Sequence, residues 1–260
     1  MIFYFTGTGN SMYAAEKLDS EVMSIPQMMK SRRFDFKAER IGIVCPVYGH
    51  EMPNMVKEFI GKAEFNTDYF FIILTYGKRH CNAVELAQKA LEASGKKADY
   101  IATMLMVDNF LPVFDMNEET SLDKAVDKQL DVIRKNIENK THSIEKVTLK
   151  DRTTHNIFMA SLRKMIGKNP PETLWADFKI TDACIGCGIC TKVCPSGCIT
   201  LKNQVAIHSG NGCQACYACI HACPKMAIQF NSNEKNSRAR YRNEHITLAQ
   251  IIEANNQTDS

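Results

Sequence analysis

Through its first 140 residues the chain alternates between short apolar runs and stretches with helical spacing. Ile2-Phe3-Tyr4-Phe5 is the first run and Val22 to Ile25 the second, followed by Ile41-Gly42-Ile43-Val44-Cys45, Tyr69 to Thr75 and Tyr100 to Val107. The longer runs are apolar at nearly every position, as in strands buried on both faces. Met12, Tyr13, Ala15 and Leu18 then recur with helical spacing, as do segments near 53–63, 80–95 and 118–138. This βα alternation predicts a doubly wound parallel sheet of the α/β class. Residues 141–176 predict a connecting segment with one helix near 154–167, whose apolar face is Phe158, Leu162, Met165 and Ile166 and which Asn169-Pro170-Pro171 stops. Trp175 and Phe178 lead into residues 177–231, where short strands near 177–180, 199–201, 205–207 and 227–230 predict a small α+β domain. Residues 232–260 form a polar, then basic tail (Lys235, Arg238, Arg240, Arg242) ending in a short helix that carries Ile246, Leu248, Ile251 and Ile252.

Cysteine placement changes this picture most. Cys184-x2-Cys187-x2-Cys190-x3-Cys194-Pro195 is repeated 29 residues later as Cys213-x2-Cys216-x2-Cys219-x3-Cys223-Pro224. Three cysteines two residues apart wrap a cuboidal cluster while their backbone N–H groups point at its sulfurs. Gly186 and Gly188 leave room for that approach. Structural zinc is the rival, but zinc takes four ligands per site and has no use for the duplicated third cysteine. The run resembles the bacterial two-cluster ferredoxin motif, in which each run gives its fourth cysteine to the other cluster. The resemblance implies two 4Fe-4S clusters, one on Cys184, Cys187, Cys190 and Cys223, the other on Cys213, Cys216, Cys219 and Cys194. Cys198 stands where the second repeat has Ala227, so packing is expected of it, as it is of Cys45 and Cys81. Because Cys45 and Cys81 fall near the ends of neighbouring strands, a redox role for them is the alternative.

The loop Thr6-Gly7-Thr8-Gly9-Asn10-Ser11 joins the first strand to the first helix. Glycines and hydroxyls opening a helix present backbone N–H groups and a positive dipole end to an anion. The dinucleotide fingerprint fails here, because Met12 stands where its third glycine belongs. The loop resembles the phosphate loop of flavodoxins, and Pro46-Val47-Tyr48-Gly49 and Tyr76-Gly77-Lys78-Arg79 follow in the matching order. That resemblance implies a flavodoxin-like sheet of order 2-1-3-4-5 with FMN at the carboxyl ends of its strands. It implies Thr6, Gly7, Thr8, Gly9, Asn10 and Ser11 for the phosphate. It implies Pro46, Val47, Tyr48, Gly49, Tyr76, Gly77, Lys78 and Arg79 around the ring, with Tyr48 and Tyr76 flanking it. Asp108-Asn109 is expected to serve as turn and cap. With Val107-Asp108-Asn109-Phe110-Leu111-Pro112 and Arg240-Tyr241-Arg242-Asn243 added, nearly the whole chain resembles the flavodoxin–ferredoxin fusion family of anaerobic bacteria and archaea.

Composition narrows the function. Thirty-two Lys and Arg against 29 Asp and Glu leave a net charge of +3, too small and scattered for nucleic acid. No apolar run reaches the ~20 residues of a membrane helix. The chain opens on a strand with no signal-peptide pattern, so a cytoplasmic location is expected, as are reduced thiols. The expected function is electron transfer between two 4Fe-4S clusters and FMN, with a redox partner protein or small acceptor as partner and a homo-oligomer left open. No catalytic residue is assigned. The alternatives are a flavin-dependent reductase of a quinone or nitro compound, and a redox sensor that does not turn over.

Overall fold

The structure, a computed structural model, describes residues 1–167 and 176–258. The helix stop at Asn169-Pro170-Pro171, Trp175 and the side chain of Ile166 lie outside the described residues. A six-stranded parallel sheet forms the N-terminal part. Its strands are β1 (Ile2–Tyr4), β2 (Val22–Ser24), β4 (Arg40–Pro46), β6 (Tyr69–Tyr76), β7 (Tyr100–Leu105) and β8 (Ser143–Ile144), in the order β2-β1-β4-β6-β7-β8. Two further strands, β3 (Asp35–Lys37) and β5 (Glu64–Asn66), pair with each other in a separate parallel ribbon. The sheet therefore reaches past residue 140, since Ser143 and Ile144 pair with Tyr100 and Ile101. β4 and β6 are buried almost throughout, which is why their sequences are apolar at consecutive positions.

Six helices belong to this part: α1 (Asn10–Leu18), α2 (Ile25–Ser31), α3 (Asn54–Lys62), α4 (Ala83–Ala93), α5 (Met116–Ser121) and α6 (Val126–Glu138). The single helix expected over 118–138 is two. Asp123 Oδ1 accepts from the Ala125 N–H and Ala125 adopts φ 48°, so the chain turns before starting again. α1 packs on β1, β4 and α6, while α3 packs on α2 and α4. An aromatic cluster of Phe3, Phe36, Phe59 and Phe65 fills the space beside β1. The connecting helix α7 (Leu149–Ile166) starts earlier than its pattern predicts because Thr148 and Asp151 form a capping box.

The C-terminal part holds two antiparallel ribbons, β9 (Phe178–Ile180) with β12 (Ile228–Phe230) and β10 (Ile199–Lys202) with β11 (Val205–His208). Short helices α8 (Ile189–Lys192) and α9 (Ala218–Ala222) pack on each other, one per cysteine run. The tail is not a free basic arm. Arg240 is buried in an ion pair with Glu234, and Arg242 Nε donates to the Ile246 carbonyl. α10 (Leu248–Asn255) ends the described chain, capped by Thr247 and Gln250, and contacts both α2 and α8. Among the described residues, no helix is long and apolar enough to cross a membrane.

Gly42 lies in β4 opposite Phe71 of β6, and a Cβ there would overlap the Phe71 ring. Phe71 is buried, so its ring is packed on all sides by other core groups. Gly42→Ala should cost about 1–3 kcal/mol by overpacking, read as a lower midpoint in chemical denaturation. An unchanged midpoint would show that the sheet accommodates the extra carbon.

Candidate functional site

In the central sheet, β1 connects towards β2 while β4 and its successors connect the other way, which leaves a crevice between β1 and β4. A cleft of about 500 Å³ opens there. Every nominated loop residue but one lines it: Thr6, Gly7, Thr8, Asn10 and Ser11; Pro46, Val47, Tyr48 and Gly49; Tyr76, Gly77, Lys78 and Arg79. Gly9 does not. It has φ 101°, and its α-carbon faces Asn243 and Ile246 of the tail, so its role is conformational.

The first loop is held by its own groups and by distant ones. Thr6 Oγ1 accepts from the Gly9 N–H at 3.0 Å, and Thr8 Oγ1 accepts from Asn109 Nδ2 at 3.0 Å. The Ser11 and Thr75 hydroxyls lie 2.8 Å apart. Asn10 Nδ2 donates to the Val107 carbonyl at 3.0 Å, while its oxygen accepts from the Tyr241 hydroxyl at 2.6 Å. The first turn of α1 contributes N–H groups that have no intrahelical acceptor. This donor set suits an anion without a cation in the loop. Lys78 and Arg79 do line the cleft, but both are exposed.

Two residues expected to be plain turn formers reach the cleft as well. Asp108 lies against Gly77, which could carry no side chain there, and burial raises the Asp108 carboxyl above its usual range. Its oxygen accepts from the Phe110 N–H at 3.1 Å. Cys45 and Cys81 are buried and do not line the cleft; burial pushes both thiols up, which suits packing.

The opposite wall comes from segments that the loop motifs do not announce. Phe158, Met159 and Leu162 of α7 line the cleft. The inward face of α7 is thus rotated from the predicted stripe, and Met165 is 71% exposed. Gly49 and His50 form a tight turn with φ 56° and 73°, closed by reciprocal hydrogen bonds between Tyr48 and Glu51. The turn aims His50 at α7. Its Nδ1 lies 3.4 Å from His155 Nδ1, and its ring lies 4.5 Å from that of Phe158.

Gln214, Ala215 and Tyr217, from the loop carrying Cys213 and Cys216, complete the cleft and also line a cavity of their own module. The cysteines divide between two cavities. Cys184, Cys187, Cys190 and Cys223 line one. Cys194, Cys213, Cys216 and Cys219 line the other, together with Cys198 and His208. Cys198 is closer to the chemistry than its packing role predicts: its Sγ is 3.4 Å from Cys194 Sγ, and its donor atom lies within 4.8 Å of those of His208 and Cys213. A hydrogen bond with Cys198 lowers the Cys194 and Cys213 thiols below the usual range, while Cys198 itself is raised. Burial pushes Cys190 up to about 11 and Cys219 well above the usual range, a penalty that bound iron would reverse.

Convergent thiols suit an iron–sulfur cluster, and the comparisons agree. Residues 183–228 match the family described as a 4Fe-4S dicluster domain. This part of the chain is an iron–sulfur electron-transfer domain. Over 47 residues it is 44% identical to a component of the ion-translocating oxidoreductase complex of Methanosarcina acetivorans, a match covering 18% of this chain and 18% of that protein. The chain thus spans under a fifth of the length of the curated relative it matches.

The His50 environment generates a pH prediction. Burial, and then the positive charges of His155, Arg79 and His80, lower its pKa from 6.5 to about 4, with Glu51 opposing; burial also lowers His155. In the unfolded chain His50 binds its proton below about 6.5, whereas the folded protein resists until about 4. Its contribution to stability is therefore complete above the unfolded value and lost as pH falls through that window. His50→Gln removes this titration, so the wild-type denaturation midpoint should fall relative to that of the variant between about pH 7.5 and about pH 5. Parallel profiles would place the imidazole in water.

Proposed function

We propose that the chain passes single electrons between two 4Fe-4S clusters and an FMN, the first cluster on Cys184, Cys187, Cys190 and Cys223, the second on Cys213, Cys216, Cys219 and Cys194. One observation carries the reading: Gln214, Ala215 and Tyr217 line both the second cysteine cavity and the cleft. A cluster and a cleft ligand would share those residues as a wall, with no bulk water between them. Flavodoxin-like character of the N-terminal part is supported by its parallel sheet and by the meeting of the nominated loops at the crevice beside β1.

When bound, the clusters supply one electron each and the flavin exchanges one or two. The protein's own task is to hold and insulate. The Thr8 hydroxyl, held through its oxygen by Asn109, has its proton free to donate to a phosphate. Tyr48 and Tyr76 offer aromatic faces, and Gly77 allows close backbone approach. Phe158, Met159 and Leu162 cover the cleft with apolar surface that excludes water. Exposed Cys187, beside Ile185 at 57% exposure, makes the first cavity the end that meets a partner. The relative named above belongs to an oxidoreductase complex, which favours a redox partner protein over a solitary role.

Anaerobic purification followed by metal and flavin analysis and an EPR-monitored redox titration tests the reading. Iron should approach about eight per chain with one FMN. Thr8→Asp removes a donor and adds a repelling charge, which at about 1.5–3 kcal/mol weakens FMN binding ~10–100-fold and should leave iron unchanged. Retention of FMN in that variant would sink the cleft assignment. Cys223→Ser should remove the cluster of the first cavity although Cys184, Cys187 and Cys190 are intact, halving the iron content. Loss of the second cluster's EPR signal instead would overturn the crossed ligation.

A further inference from the structure

His208 is a buried-cavity residue that neither cysteine run predicts. It ends β11, paired with Ile199, and its ring packs on Phe178 with centroids 4.2 Å apart. It lines the cavity of Cys194, Cys213, Cys216 and Cys219. Its Nε2 is buried and has no hydrogen-bond partner, a costly arrangement for a polar atom unless something in the cavity supplies an acceptor. One of its ring nitrogens lies within 4.8 Å of both Cys213 Sγ and Cys198 Sγ. Half-buried His221, also in this part, is fully engaged: Nε2 meets the Asn109 carbonyl at 2.9 Å, and Nδ1 accepts from the Tyr241 N–H at 3.0 Å.

The first cavity has no counterpart. Apart from its four thiols, the side chains lining it are apolar, with the exception of exposed Lys225, whose ammonium keeps its water. The two cysteine runs are near-repeats, so this asymmetry is not built into the ligand motif.

We propose that His208 is a positioning residue that sets the potential of the second cluster by donating its Nε2–H to a sulfur at the Cys213 corner. This rests on the two-cluster reading above. A hydrogen bond to cluster sulfur stabilises the reduced, more negative state and so raises the midpoint potential. One electron then leaves the first cluster and enters the second; no bond is made or broken, and His208 keeps its proton. The consequence is a downhill step from the exposed cavity to the one bordering the cleft, so that the resting electron sits beside the cleft.

The test uses the full chain with its clusters, titrated anaerobically and followed by EPR. In wild type the two midpoint potentials should differ. His208→Leu should lower the higher one and leave the other unmoved, and His208→Gln, which keeps an N–H donor, should recover most of the gap. Protein labelled with 15N-histidine provides a readout that needs no variant: pulsed EPR of the partly reduced state should detect one histidine nitrogen coupled to the first cluster to accept an electron. Absence of that coupling would overturn the inference even if His208→Leu failed to load iron. About four irons per wild-type chain would overturn the two-cluster reading and this inference with it. About eight irons, with both potentials unmoved in His208→Leu, would overturn the inference alone.

Discussion

The arrangement depends on the C-terminal tail binding back onto the first loop. Asn255 is fully buried, and its Nδ2 donates to the Thr6 carbonyl at 2.9 Å and to the Val193 carbonyl at 3.3 Å. One side chain thus bridges the loop after β1 and the end of the first cysteine run. Asn243 donates its N–H to the Thr8 carbonyl at 2.8 Å, and the Tyr241 hydroxyl reaches Asn10. α10 reinforces the contact through hydrogen bonds to α2, where Gln27 donates to the carbonyls of Ala254 and Asn256. A buried donor left unmet costs about 1–3 kcal/mol, so losing the Thr6 and Val193 carbonyls would strand the Asn255 amide, whose oxygen is already without a partner. The tail is a clasp, stiffened from within by the Arg240–Glu234 ion pair.

What the clasp secures is a close approach between backbones. Gly7 lies against the Cys216 carbonyl, where any Cβ would overlap that oxygen, with the Tyr48 hydroxyl close by. Tyr217 is held at φ 59° and packs with Phe110 and Phe230, ring centroids 5.8 and 5.0 Å away. The second cysteine loop is therefore fixed by packing on the N-terminal part as much as by its own module. Gly7, Cys216 and Tyr217 are all buried at this junction, where the local dielectric is low. That explains why the Tyr48 and Tyr217 phenols are raised well above their usual range by burial.

Legibility in the sequence followed the range of the interactions. β4 and β6 were readable because strands buried on both faces must be apolar at consecutive positions. Asp35-Phe36-Lys37 and Ser143-Ile144 were not, because two or three residues with one apolar side chain carry no period, and only pairing with a distant strand makes them strands. The loops Thr6–Ser11, Pro46–Gly49 and Tyr76–Arg79 drew notice because their chemistry is local. Phe158 and Tyr217 reach the same cleft through tertiary packing, and nothing in their immediate neighbours announces it. Gly9 does not line the cleft, and its left-handed backbone lies against Asn243 and Ile246 of the tail, a long-range contact that no local pattern shows. His208 belongs with the missed residues. A histidine closing a hairpin is usually a turn residue, and only the cavity beside it gives it another use.

The two cysteine cavities have nearly the same ligand spacing and very different surroundings. Around the first, Cys187 is exposed and Leu201 is 42% exposed at the rim. Around the second, Cys194, Cys216 and Cys219 are buried, and the loop between them is pressed against Gly7. An exposed site exchanges electrons with whatever docks and is stabilised by water when charged. An enclosed site exchanges only with its built-in neighbour and relies on fixed donors for that stabilisation. Under the two-cluster reading, a duplicated motif has thus acquired two roles without any change in its cysteines. The divergence lies in what each copy was packed against, and that packing is fixed by residues more than two hundred positions from the first loop.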